Sequence, residues 1–154
     1  MRLSGRSAFI TGAAKGIGLS VAKAFSKEGA TVALADMSGD EAIRQASKIE
    51  AETGNKALGV ECDVADKQSV ENAIEETVKA FGTIDTLACM AATMTARHDV
   101  VDLSEEDWDR TLRVNVTGSF FACKYVIPLM RKAGRGSIIL TASQMGQVAW
   151  PGST

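Results

Sequence analysis

Five short apolar runs recur along this chain, and the first four are each followed by a longer amphipathic stretch. The runs are Ser7–Thr11 (SAFIT), Thr31–Ala35 (TVALA), Ala57–Glu61 (ALGVE), Ile84–Met90 (IDTLACM) and Ser137–Thr141 (SIILT). Short runs without polar alternation read as strands buried on both faces. The first interval carries Ile17, Val21, Ala24 and Phe25 on one helical face and is closed by Gly29. The second runs from about Asp40 to Glu52, with Ala42, Ile43, Ala46 and Ile49 inward and Gly54 at its end. Asp66 caps the third, whose inner face is Val70, Ala73, Ile74, Val78 and Phe81, with Gly82 closing it. Ser104, followed by Asp107, resembles a capping box and opens a long helix to about Arg131, its last turns bent by Pro128. Strands alternating with helices require right-handed crossovers and a parallel sheet covered on both faces. The fold class is therefore α/β, a doubly wound parallel sheet, and residues 1–154 read as one domain.

Charge and composition narrow the function. Seventeen basic and 19 acidic side chains leave a net charge of −2, which offers no field for nucleic acid or a membrane surface. The basic residues Lys124, Arg131, Lys132 and Arg135 surround a helix end, where cations suit the dipole. Cys62, Cys89 and Cys123 lack metal-ligand spacing and read as reduced thiols, so no metal is expected. His98 stands alone in a polar loop as a surface residue. No leader segment and no apolar run near the roughly 18 residues of a membrane span are evident. The expectation is a cytoplasmic protein without a membrane partner.

The first strand runs into Thr11-Gly-Ala-Ala-Lys-Gly-Ile-Gly18, the spacing G-x-x-x-G-x-G. Gly12 permits a tight turn, Gly16 lets the backbone approach a phosphate, and Gly18 lets the helix pack closely on the strand. The helix start, with Lys15 and Ile17 beside it, offers free N–H groups and the positive dipole end to a pyrophosphate. Leu19 after Gly18 excludes a Walker phosphate loop. Asp36 ends the second strand, where a carboxylate accepts both hydroxyls of an adenosine ribose and repels a 2′-phosphate. NAD is therefore expected over NADP, and the cation of Lys15 leaves NADP open.

With these residues the chain resembles the first part of a classical short-chain dehydrogenase/reductase, a Rossmann-like fold with strand order 3-2-1-4-5. TGAAKGIG matches that family's cofactor loop, and Asp63-Val64 its adenine-contacting pair. Asn115 in RVNVTGSF matches the asparagine of the long helix, and Ser143 in IILTAS the catalytic serine. The resemblance implies hydride transfer between a nicotinamide and a small alcohol or carbonyl substrate. It gives Ser143 the orienting of the substrate oxygen and Asn115 the anchoring of a water relay. Met90 and Ala91 would meet the cofactor through their backbone. It also implies a homo-oligomer, a dimer or tetramer, paired partly through the long helix. Sugar alcohols, hydroxysteroids and 3-oxoacyl thioesters all remain open as substrates.

Two positions depart from the family pattern. Cys89-Met90-Ala91-Ala92 stands where the family carries Asn-Asn-Ala-Gly, so amide side chains that tie the central strands are lacking. The family's proton-transferring Tyr-x-x-x-Lys is not in these residues; the sole tyrosine, Tyr125, is followed at the fourth position by Leu129 and reads as core or interface. Pro151-Gly152 reads as a turn. The fifth strand would also lie at a sheet edge with no charge or proline to guard it. The expectation is thus a C-terminally truncated enzyme that is inactive alone. The alternative is a non-catalytic NAD-binding module.

Overall fold

The computed structural model describes residues 1–95 and 99–148. The expectations for His98 and for Pro151-Gly152 lie outside the described residues. Five strands form one parallel sheet: β1 (Ser7–Thr11), β2 (Thr31–Asp36), β3 (Ala57–Glu61), β4 (Thr86–Cys89) and β5 (Ser137–Leu140). Their order is β3-β2-β1-β4-β5, as expected. In register, Phe9 pairs with Ala33 on one side and Leu87 on the other. The fourth and fifth strands are shorter than their apolar runs.

Alternate strand residues enter two separate cores. Ala8, Ile10, Val32, Leu34 and Ala88 pack beneath α1 (Gly16–Lys27) and α2 (Gly39–Thr53), with Ala22, Ala42, Ala46 and Ile49. Phe9, Ala33, Ala35, Leu87 and Cys89 pack on the other side beneath α3 (Lys67–Phe81) and α5 (Gly118–Ala133), with Val70, Ala73, Ile74, Phe121, Ala122 and Val126. Because both faces are covered, the middle residues of β1, β2 and β4 are all apolar.

Most residues expected inward on the first two helices do pack on the sheet, Val21 and Phe25 in α1 and Ala42, Ala46 and Ile49 in α2, and three do not. In α1 the buried residues are Gly18, Ala22 and Ser26, while Ile17 is 75% exposed and Ala24 is exposed. Gly18 lies so close to Gly12 that this contact, not the apolar pattern, sets the helix rotation. In α2, Ala42, Ala46 and Ile49 are buried, but Ile43 is half-exposed. Here Gly59 of β3 presses on the backbone at Ala42 and Ile43, leaving the Ile43 side chain beside the contact.

The long helix is continuous in backbone but not in hydrogen-bond period. Ser104 caps α4 (Glu105–Leu112), accepting from the Asp107 N–H at 3.1 Å while its hydroxyl donates to the Asp107 carboxylate. A π turn, Arg113–Thr117, then joins α4 to α5, which continues through Pro128 to Ala133. Asp66 caps α3 as expected, accepting from the Gln68 N–H.

The lower edge of the sheet is closed by a residue that belongs to no motif. Asp85, with its side chain fully buried, accepts from the Ser7 N–H and the Thr86 hydroxyl. Its backbone bonds Ser7 on one side and Ser137 on the other. Arg135 brings a guanidinium nitrogen 2.9 Å from Asp85 Oδ2 without hydrogen-bond alignment, so that oxygen is met by charge. Arg135 thus clasps β1, β4 and β5 rather than merely ending a helix. Beyond it, every residue of β5 is exposed at the sheet edge.

A methyl group at Gly59 would lie 2.2 Å from the Ile43 nitrogen, in contact with backbone that cannot swing aside. Gly59→Ala is expected to lower the thermal midpoint by roughly 2–12 °C, corresponding to an overpacking cost of about 1–3 kcal/mol. Calorimetry or thermal circular dichroism checks this; an unchanged midpoint would mean that the α2–β3 contact yields freely.

Candidate functional site

The upper, C-terminal ends of the strands meet at the point where the chain changes from one face of the sheet to the other, between β1 and β4. Open α/β sheets bind ligands at such a switch point. The glycine loop lies there. Gly12 has φ +64°, and a Cβ on it would stand 2.7 Å from the Ala91 Cα. Gly18 has no room for a side chain, since a Cβ would meet the Gly12 carbonyl oxygen at 2.2 Å. Gly16, at φ +59°, faces open space, and a Cβ there would find no neighbouring atom within 4 Å. Lys15 precedes α1 in extended conformation, and no side chain caps the first-turn N–H groups. Ile17 stands exposed beside them.

Polar ties hold this loop to its neighbours. Thr11 is buried, and its hydroxyl oxygen accepts from the N–H groups of both Met90 and Ala91 at 3.1 Å. This tie joins the ends of β1 and β4 without any amide side chain, which is how the Cys89-Met90-Ala91-Ala92 segment stays in place. The Thr141 hydroxyl donates to the Met90 sulfur at 3.1 Å, linking the end of β5 to the same segment. Asp36, at the end of β2, is 8% exposed. Its Oδ2 accepts from the Ala14 N–H and its Oδ1 from the Ser38 N–H, each at 3.0 Å. Each carboxylate oxygen keeps a lone pair free.

Asp63 and Val64 follow β3. The Asp63 carboxylate accepts from the Ala65 N–H at 2.9 Å, closing a small turn. Val64 is buried against Gly118, where a Cβ would come within 2.9 Å of its own. Asn115 stands on the π turn, and its amide grips the backbone of Thr93 from both sides. Oδ1 accepts from the Thr93 N–H at 2.8 Å, and Nδ2 donates to the Thr93 carbonyl at 2.9 Å. Ser143, just past β5, is exposed, and its hydroxyl oxygen accepts from the Met145 N–H of a short 3-10 turn. The partners Ala14, Ser38 and Thr93 contribute only backbone, so no side-chain pattern could have announced them.

Tyr125 stands apart from this site. Its hydroxyl donates to Glu71 at 3.0 Å, and desolvation together with that carboxylate raises its pKa above the ordinary 10. It lines a groove of about 310 Å³ between α3 and α5 with Ile74, Val78 and Leu129. Among the described residues no group of three His, Cys, Asp or Glu side chains is placed to hold a metal. None of their helices is long and apolar enough to cross a membrane.

Residues 6–154 match the family model described as short chain dehydrogenase. The chain belongs to the short-chain dehydrogenase family. Among curated relatives, this short-chain dehydrogenase chain is 38% identical to the D-threitol dehydrogenase of Mycolicibacterium smegmatis, covering 96% of the chain and 56% of that protein. It is 35% identical to the 3-oxoacyl-[acyl-carrier-protein] reductase of Thermotoga maritima, covering 100% of the chain and 62% of that protein. A solved NAD+-bound xylitol dehydrogenase superposes with a TM-score of 0.94 at 32% identity, over 99% of this chain and 58% of that one. The chain thus spans little more than half the length of the relatives it matches.

Two free, buried thiols, Cys62 and Cys89, lie next to the site residues in sequence. Burial, with Asp63 and Asp36 adding charge, pushes Cys62 up to about 12, and burial beside Cys123 pushes Cys89 up to about 11. The folded chain keeps these protons where an unfolded thiol, with its ordinary value of 9.0, loses its own. Stability is therefore held below about pH 9 and falls as pH rises toward 12. Urea unfolding at pH 8, 9 and 10 measures the fall, and Cys62→Ala is expected to flatten it. A midpoint that climbs with pH in that window would contradict the assignment.

Proposed function

We propose that this chain is the cofactor-binding portion of an NAD(H)-dependent oxidoreductase acting on a small alcohol or carbonyl compound. The observation that carries the reading is the Asp36 carboxylate, held by the Ala14 and Ser38 N–H groups with a lone pair left on each oxygen. Such a carboxylate accepts a ribose diol without first having to be ordered. It cannot turn away from a 2′-phosphate, and two unit charges about 4 Å apart interact by roughly 4 kcal/mol at an effective dielectric of 20. The exposed Lys15 cation opposes this only weakly, being free to move in solvent.

The rest of the site fits a dinucleotide. The N–H groups of Gly16, Ile17 and Gly18 would receive the pyrophosphate, with the open space at Gly16 admitting it. Asp63 and Val64 would meet the adenine, and the Met90–Ala91 backbone, fixed by Thr11, would border the nicotinamide ribose. When bound, the nicotinamide supplies the hydride donor or acceptor. Ser143 is assigned the orienting of the substrate oxygen. Asn115 is assigned the fixing of the loop at Thr93 and the anchoring of a water relay. The proton-transferring tyrosine and lysine are assigned to sequence outside these 154 residues, because Tyr125 is engaged with Glu71. These residues alone are accordingly expected to bind cofactor without turnover.

The complete protein is proposed to be a homo-oligomer in the cytoplasm. Trp108, Leu112, Val116 and Phe120 form an exposed apolar stripe along α4, the π turn and α5, which supports pairing through that helix. The three free thiols fit a reducing compartment.

Titration calorimetry with NADH and NADPH tests the cofactor reading. NADH is expected to bind more tightly, and Asp36→Ser to narrow the preference by about tenfold, equivalent to ~1.4 kcal/mol. Equal affinities in the unaltered chain, or a preference unmoved by Asp36→Ser, would contradict it.

A further inference from the structure

We propose that Arg113 is a positioning residue for the adenine end of the cofactor site, an inference that rests on the nucleotide-binding reading above. Arg113 Nε donates to the carbonyl oxygen of Ala65 at 2.7 Å, and its guanidinium lies 5.2 Å from the centre of the Phe121 ring. Gly118, on the same helix, supports Val64 from below, where any Cβ would collide. One helix therefore holds the turn after β3 at two successive residues.

The π turn makes this grip geometrically available. The Gly118 N–H bonds the carbonyl of Arg113, five residues back. In an α-helix, residues five apart point about 140° away from each other and would not both reach one small loop. The extra residue brings Arg113 and Gly118 to the same side while Asn115, between them, is aimed at Thr93. Widened turns of this kind concentrate at functional sites.

The peptide plane that Arg113 holds is otherwise anchored on one side only. The Ala65 N–H is taken by the Asp63 carboxylate, and the Asp66 N–H by the Asp63 carbonyl. Without Arg113 the Ala65 carbonyl has no partner across the loop, and the Asp63 carboxylate would lose the fixed direction from which an adenine amino group is met. Phe121 contributes by holding the guanidinium plane, a contact that is favourable even at an exposed position.

The test is AMP titration of the chain, followed by calorimetry, with two substitutions. Arg113→Met keeps the stem over Phe121 and removes the donor; its AMP dissociation constant is expected to rise about three- to tenfold, as for loss of one such hydrogen bond. Arg113→Lys keeps a donor and is expected to recover most of that loss, while the ligand-free thermal midpoints of both variants stay close to that of the unaltered chain. AMP binding by Arg113→Met equal to that of the unaltered chain would overturn the proposal, whatever its stability. So would Arg113→Lys binding as weakly as Arg113→Met. If the unaltered chain bound no AMP at all, the nucleotide reading itself would fall, and this inference with it.

Discussion

Gly18 rests against the carbonyl oxygen of Gly12 at a separation that leaves room for hydrogen and nothing larger. That contact fixes where α1 starts and how it is rotated. Its N-terminus is brought over the end of β1, Ile17 is turned outward, and Ala22 and Ser26 are turned into the core. Gly12, in turn, is pressed against Ala91 after β4, so the loop is gripped between helix and sheet on both sides. A helix start with unpaired N–H groups, held rigidly beside open space at Gly16, follows from these approaches.

Around that contact the strand ends are laced together by single polar atoms. The Thr11 hydroxyl holds two amides of the segment after β4, and the Asp36 carboxylate holds an amide of the glycine loop and one of its own turn. Asn115 clamps Thr93, which follows the same β4 segment. Asp85 does the corresponding work at the opposite end of the sheet, joining β1, β4 and β5. Each tie is between elements distant in sequence, so the geometry of the site depends on the whole sheet being assembled.

What could be read from the amino acids depended on how local its cause is. The doubly wound parallel sheet followed from five apolar runs separated by helical intervals, because both-sided burial and right-handed crossovers leave few alternatives. The positions of the glycine loop after β1 and of Asp36 at the end of β2 were legible because each follows directly from where an apolar run stops. Ile17 and Ile43 were assigned inward by periodicity, which cannot register that a glycine approach elsewhere sets a helix's rotation. The π turn at Asn115 had no signal, since one extra residue in a helical turn leaves the apolar pattern almost unchanged. Cys89 and Met90 suggested a weakened tie between the central strands; the tie is made instead by backbone N–H groups to Thr11, which a reading of side chains alone overlooks. Asp85 and Arg135 were missed as a pair because they lie fifty residues apart, one just before β4 and the other just before β5.

Binding of a nicotinamide dinucleotide across the upper ends of β1, β2 and β3 is tested most directly by amide NMR of the 15N-labelled chain during NADH titration. The largest shifts are expected at Gly12 to Gly18, at Asp36 and Met37, and at Asp63 to Ala65, with the amides around Tyr125 and Leu129 unmoved. Shifts confined to the α3–α5 groove, or none at saturating NADH, would contradict it.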